Sequence, residues 1–251
     1  MSDSPSTARA AGPRLLALDT ATERLSVAVV VGEHQWVAVV AGGTLASARV
    51  LPLSFELLAR AGIVLGDLDA IAFGRGPGAF TGLRTACSVA QGLALGAALP
   101  VLPIDSLALV AEDAFAQQGA TDVWVAMDAR MDEVYAAAYR RVDGDWQVVQ
   151  APALWALPAL LDAWQHRMPA CVAGTALMAF GPRLPTGLAL RVEATQDRAA
   201  ALARLAKAAW RRGQAVDAAL ALPLYLRDKV ALTTAERAAV AAAKAVARHR
   251  T

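Results

Sequence analysis

The sequence predicts an α/β protein with mixed β-sheet, on three features of the chain. Runs rich in β-branched residues open it, helical and strand patterns then alternate, and a unit of strand, Asp, turn and strand occurs twice, around Asp19 and again around Asp128. At 251 residues the chain makes one large domain or two of ordinary size, and a 57% hydrophobic composition supplies ample core.

In chain order, the polar leader MSDSPSTARAAGPR reads as disordered. The segment RLLALDTATERLSVAVVVGEHQWVAVV then reads as strands joined by tight turns, densest in β-branched residues at 27–31, with VGEH as a hairpin signal. In ASARVLPLSFELLARAG, Leu53, Leu57 and Leu58 recur at helical spacing and Gly62 is the stop. LDAIAFG is a buried strand and leads into the glycine-rich loop FGRGPGAFTGLR. A second helix runs from Thr81 or Thr85 through residue 99 and is closed by Pro100; PVLPIDSLALVAEDAFAQQG gives a short strand and a third helix. The opening pattern restarts in DVWVAMDARMDEVYAAAYRRVDGDWQVV. After it come the helices LWALPALLDAWQH and DRAAALARLAKAAWRRG, the latter capped by Asp197 and ended by Gly213, with a short strand ACVAG and a closing PLYLRDKVALT.

Composition narrows the function classes. A mean hydropathy of +0.41 invites a membrane reading, yet no run of about 18 apolar residues occurs. The longest candidate, residues 85–99, carries Gln91 and owes much of its hydropathy to alanine. The early LLAL is cut by Asp19 before it reaches signal-peptide length, so a cytoplasmic protein with no membrane contact is expected. Cys87 and Cys171 are too few for a disulfide framework, and the net charge of +2 is near balance. The terminal KAVARHR is open to two readings, a nucleic-acid contact or a solvated end.

The loop fails two tests for a phosphate cradle. Gly74, Gly76 and Gly78 are not followed by the third glycine of G-x-G-x-x-G, and Gly82 is followed by Leu83 where a Walker loop needs Lys. Two readings remain: an anion-accepting backbone nest with Arg75 and Arg84 nearby, or close packing of the loop on a neighbouring element. On the helix after it, Ser88, Gly92 and Gly96 stack four apart on one smooth face, with Val89, Leu93 and Leu95 expected on a core side. This helix and the Leu53/Leu57 helix either form an exposed pair that docks on another chain or are buried in the monomer. His34, His166 and His249 have no partner at ligand spacing, so neither a metal site nor a Ser-His-Asp set is expected. Asp19 and Asp128 end apolar strands, but their turns, DTATE and DARMDE, lack the glycine that a close phosphate approach requires; turn capping by the carboxylates is the other reading.

LALDTATERLSVAVV, AFGRGPGAFTGLR followed by VAQGLALG, MDARMDEVYAAAY and PLYLRDKVA together resemble the TsaB (YeaZ) family, from residue 15 to about 231. The resemblance implies a duplicated actin-like (ribonuclease H-like) fold of two lobes with mixed sheets and flanking helices. It implies an N-terminal lobe over 14–108 carrying the partner-binding helices, a smaller C-terminal lobe over 109–231, a leader over 1–13 and an Ala-rich basic helical tail over 232–251. The function implied is that of a non-catalytic partner in forming N6-threonylcarbamoyladenosine at position 37 of tRNAs that read codons beginning with A. It would bind and activate its catalytic relative TsaD, be joined by the ATPase TsaE, pair with itself when alone, and meet tRNA through the complex. ATP and metal are expected on those partners and no cofactor on this chain. By alignment, Ser106 and Val110 stand where TsaD-like chains carry their H-x-x-x-H metal pair. Ala79 stands where Ser is usual in the loop, which removes a hydroxyl from any phosphate site. The docking set expected is Leu53, Leu57, Ser88, Gly92 and Gly96; the set beside any nucleotide is Asp19, Thr20, Gly76, Gly78, Thr81, Gly82, Arg84 and Asp128. The competing classes are a stand-alone actin-like ATPase or kinase, and a metallopeptidase whose ligands the chain lacks.

Overall fold

The computed structural model describes residues 12–227; most of the leader and the basic tail over 232–251 lie outside the described residues. Strands β1 (Arg14–Asp19), β2 (Arg24–Val31) and β3 (His34–Ala41) form an antiparallel meander, as the β-branched runs and the turn at Gly32 dictate. Helix α1 (Ala46–Arg60), β4 (Ala70–Gly76), α2 (Phe80–Ala97), β5 (Val101–Asp105) and α3 (Ser106–Gln118) complete the first half. The second half repeats the plan with β6 (Asp122–Asp128), β7 (Glu133–Val142) and β8 (Asp145–Ala156), then α4 (Leu157–His166), β9 (Cys171–Ala173), α5 (Ala176–Phe180), β10 (Leu190–Val192) and α6 (Arg198–Arg211).

The two sheets share one topology. The first runs β3-β2-β1-β4-β5 and the second β10-β9-β6-β7-β8, so in each a meander is extended by two parallel strands on the side of its first strand. This is the duplicated actin-like α/β fold. The recurrence of strand, Asp, turn and strand is its trace in the sequence.

Strand alternation sorts the core into three layers. On the first sheet Leu16, Leu18, Val27, Val29, Ile71 and Phe73 face α1 and α2. On the second, Trp124, Ala126, Val134 and Ala136 face α4 and α5. The inner faces of both sheets, built from small residues such as Ala17, Ala28, Ala72 and Ala137, enclose α3 and α6. Those two helices exchange places: α6, from the second half, lies on the first sheet, while α3 lies chiefly on the second. The lobe boundary expected at 108/109 therefore falls inside α3, an element of the shared middle layer.

The helix ends follow local chemistry. α3 is capped by the Asp105 carboxylate, which accepts from Leu107 N at 2.9 Å, and α6 by Asp197, which accepts from Ala200 N at 2.9 Å. α2 begins at Phe80 and stops at Ala97, before Pro100, because Ala98 turns left-handed with φ 53°. Both cysteines are buried and free, and burial pushes the Cys171 thiol up to about 11. Among the described residues no helix is long and apolar enough to cross a membrane.

Polar contacts tie the halves together through the middle layer. Buried Glu112 of α3 accepts from Arg141 at 2.8 Å, from Trp146 Nε1 at 2.8 Å and from Arg204 of α6. Asp105, at the end of β5, accepts a 2.6 Å hydrogen bond from the Tyr139 hydroxyl of β7. Burial raises the Asp105 carboxyl above its ordinary range and Tyr139 well above its own. The folded state thus keeps the Asp105 proton at pH values where the unfolded chain has released it. Stability from this site is full below the unfolded value and is lost as pH rises through the raised one. Asp105→Asn, which keeps the cap acceptor and cannot ionise, should show a stability relative to wild type that falls as pH is lowered from neutral towards about 4, the ordinary carboxylate value; urea denaturation across that range measures it.

Candidate functional site

Two places on the molecule gather the residues singled out from the sequence: a cleft between the lobes and the outer face of α1 and α2. The cleft has a volume of about 660 Å³ and is lined by the β1–β2 turn, the loop at Pro77–Ala79, the start of α3, the β6–β7 turn, the start of α5 and Arg198.

Beneath its floor, under Ser106 and Arg198, Asp19 is fully buried, and it is paired. Its Oδ1 accepts from Ala21 N at 3.0 Å and from Arg198 Nε at 3.1 Å; its Oδ2 accepts from Ser106 Oγ at 3.2 Å and from Arg198 Nη2 at 3.3 Å. Both carboxylate oxygens are engaged by this chain. A guanidinium therefore occupies the place from which a phosphate or cation would approach the carboxylate.

The glycine-rich loop packs against the same turn. A Cβ on Gly74 would overlap Asp19 Oδ2, one on Gly82 would overlap the Thr20 carbonyl, and one on Gly78 would lie 2.6 Å from the Ala21 carbonyl. Gly76 adopts φ +114°, and its N–H is taken by Ser106 Oγ at 3.0 Å. Ala79 N–H is taken by the Ala21 carbonyl at 2.8 Å, and the Thr20 hydroxyl donates to the Gly82 carbonyl at 2.6 Å. Of the two readings of this loop, close packing on a neighbour accounts for its glycines: the end of β1 and the turn after it for Gly74, Gly78 and Gly82, and the Leu224 carbonyl with Leu83 for Gly76. Thr81 faces solvent at the start of α2, where its carbonyl accepts from the Thr85 hydroxyl at 3.0 Å. Arg84 lies over the Phe80 ring at 3.9 Å and donates to the Tyr225 hydroxyl at 3.2 Å, away from the cleft floor.

Asp128 repeats the Asp19 turn without its burial. Its Oδ1 accepts from Arg130 N at 2.8 Å, two residues on, as Asp19 accepts from Ala21. It lines the cleft beside Arg130, which it pairs at 3.1 Å. Arg130, Met131 and Asp132 then take φ values of 64°, 56° and 60°, three consecutive left-handed residues without glycine. Such residues cost about 1–2 kcal/mol each. Among the described residues no cluster of three His, Cys, Asp or Glu side chains is placed to hold a metal. Ser106 and Val110 are both buried on α3, the first bonded to Asp19 and the second in the apolar middle layer.

On the outer face, Ser88, Gly92 and Gly96 are exposed, and a Cβ on either glycine would meet nothing within 4 Å. Two expectations need correction. Leu57, expected on the docking surface, is fully enclosed with Leu58 against the first sheet, and Leu53 is half-buried beside them; the exposed apolar residues of α1 are Leu51 and Phe55, a quarter-turn round the helix. Leu95, expected in the core, is 65% exposed next to Gly92 and Gly96. The core side of α2 is instead Leu83, Ala86, Cys87, Ala90 and Ala94. Arg198, Tyr225 and Arg227 were not anticipated; their partners lie far away in sequence.

The duplicated sheets and interlobe cleft place the chain among TsaD-type proteins, and residues 45–235 match the family model described as TsaD: tRNA N6-adenosine threonylcarbamoyltransferase. Within that class the chain belongs to the TsaB (YeaZ) family. It is 37% identical to the tRNA threonylcarbamoyladenosine biosynthesis protein TsaB of Escherichia coli over 227 residues, which are 87% of this chain and 96% of that protein. It is 51% identical to TsaB of Haemophilus influenzae over 122 residues, spanning about half of each chain at 48% and 51%. The solved structure of YeaZ from Pseudomonas aeruginosa matches with a TM-score of 0.78 at 40% identity, over 85% of this chain and all of that one.

The glycines thus fall into two kinds, and substitution separates them. Gly82→Ala should cost at least about 3 kcal/mol, because the clash is with backbone. Gly92→Ala should stabilise by about 0.5–1 kcal/mol, as alanine does in an exposed helix; thermal melting of both variants decides it.

Proposed function

We propose that this chain is a non-catalytic scaffold subunit in the formation of N6-threonylcarbamoyladenosine at position 37 of tRNAs that read ANN codons. Through α1 and α2 it binds TsaD, which supplies the transfer chemistry, and holds it in its active arrangement. The names of its relatives support this pathway, and one observation carries the scaffold role: the bare outer face of α2. Exposed Ser88, Gly92 and Gly96 leave a shallow surface beside Leu95, on which another helix can approach at short range.

The cleft supports the same division of labour. With Asp19 held by Arg198 and the loop amides of Gly76 and Ala79 already bonded, the floor offers little to a nucleotide phosphate. In this reading ATP and metal sit on TsaD and TsaE, the chain pairs with itself through the same face when TsaD is absent, and the assembly works in the cytoplasm.

Gly92→Leu tests it. The added side chain enters open space in the monomer, so circular dichroism should match the wild type and the melting temperature should be no lower. Affinity for TsaD should fall by more than about a hundredfold, the scale of an interface hot spot. A variant that still pairs with TsaD at wild-type affinity in calorimetry would refute the scaffold face.

A further inference from the structure

The stretch after α6 does not end on the lobe it comes from. Val216 bridges to Val101 of β5, and the 3₁₀ turn Ala218–Leu220 then lies along α2. Gln91 of α2 donates to the Ala218 and Ala221 carbonyls at 3.2 and 3.1 Å, and the Cys87 thiol lies 3.3 Å from the Ala221 carbonyl. Further on, Leu224 N–H bonds the Arg75 carbonyl at 2.7 Å and the Tyr225 ring packs on Phe80 at 5.0 Å. Arg227 then crosses to the second lobe, where it donates to the Ala129 carbonyl at 2.8 Å and pairs with Glu133 at 2.6 Å.

The place it reaches is the strained turn. Arg130, Met131 and Asp132 are all left-handed, and a backbone held in that state persists only where its surroundings fix it. Within the second lobe the turn is held by the Asp128 cap and by Arg183, which pairs with Asp132 at 3.0 Å. Arg227 supplies the hold from outside. The turn is also the lip of the cleft, since Ala129 and Arg130 line both the cleft and a smaller cavity of about 250 Å³ beneath the strap.

We propose that residues 218–227 form a strap that fastens this lip and couples it to the exposed face of α2. The coupling, though not the fastening, rests on the docking reading given above. Leu220 and Leu222 stand 66% and 70% exposed on the strap beside α2, so a body seated on the Gly92 face meets them as well. They share a short backbone with Arg227. Docking that orders the strap therefore tightens the lip, and by reciprocity a fastened lip favours docking.

Hydrogen exchange on the full chain tests the fastening. The amides of Ala129 and Glu133 are bonded within the turn and that of Arg130 to Asp128, so they report its closure. Arg227→Ala should speed exchange at these three amides at least tenfold and leave α4 unchanged, and Arg227→Lys, which keeps a donor for the Ala129 carbonyl and a charge for Glu133, should retain most of the protection. Unchanged exchange in Arg227→Ala, acceleration that spreads through α4, or exchange in Arg227→Lys as fast as in Arg227→Ala overturns the strap. Adding TsaD should slow the three amides in wild type but not in Arg227→Ala, while α2 slows in both. If α2 slows and the lip does not, the coupling is wrong. If α2 does not slow, the docking reading fails and takes the coupling with it, while the fastening still stands or falls on the chain alone.

Discussion

The buried pair of Asp19 and Arg198 is the constraint around which this molecule is arranged. Arg198 opens α6, and a cation at a helix N-terminus works against the helix dipole by some tenths of a kcal/mol up to about 1. It is there because Asp19, fully enclosed at the end of β1, needs a counter-charge, and removing one member of such a pair costs about 3–5 kcal/mol. The pair pins a helix from the second half onto the sheet of the first. Through Ser106 it also fixes the start of α3, which goes the other way. The exchange of middle-layer helices and the position of the loop at Gly74 both follow from where this carboxylate is held.

The duplication shows how one local design diverges with its surroundings. Asp19 and Asp128 end equivalent strands and cap equivalent turns, each accepting from the amide two residues on. The first is sealed beneath the glycine-rich loop and an arginine from the other half. The second stays at the cleft wall, paired with its neighbour Arg130, and its turn carries three left-handed residues in place of glycine. One copy became a structural joint and the other a lip.

Much of this was legible in the sequence because it is local. Strand runs, the hairpin at Gly32, the Asp197 cap, the repeat and the smooth face of α2 all depend on residues close together in the chain. The loop could be reduced to two readings and no further, since choosing between them requires knowing that the β1–β2 turn lies against Gly74, Gly78 and Gly82. Arg198 was invisible for the same reason, being 179 residues from Asp19. Leu57 and Leu95 were misplaced because helical spacing groups residues by face without saying which face meets the sheet: on α1 the buried arc runs through Val50, Ser54, Leu57 and Leu58, and on α2 it runs through Leu83, Ala86, Cys87, Ala90 and Ala94, which leaves Leu95 outside.

The placement of glycine along a single stretch of chain carries the argument one step further. From Gly74 to Gly82 each glycine has an internal reason, a carbonyl, a carboxylate or a leucine where a Cβ would stand. Gly92 and Gly96, on the helix that follows, have none among the described residues: both face open space, and Gly92 lies in an exposed helix interior, where glycine costs about 1 kcal/mol against alanine, while Gly96 stands one residue from the helix end. The proposed docking gives the cost at Gly92 a reason, with Gly96 and the exposed Leu95 beside it. Under that proposal the docked body comes within the reach of a missing side chain, which is the distance of a packed helix and not of a passing solvent molecule.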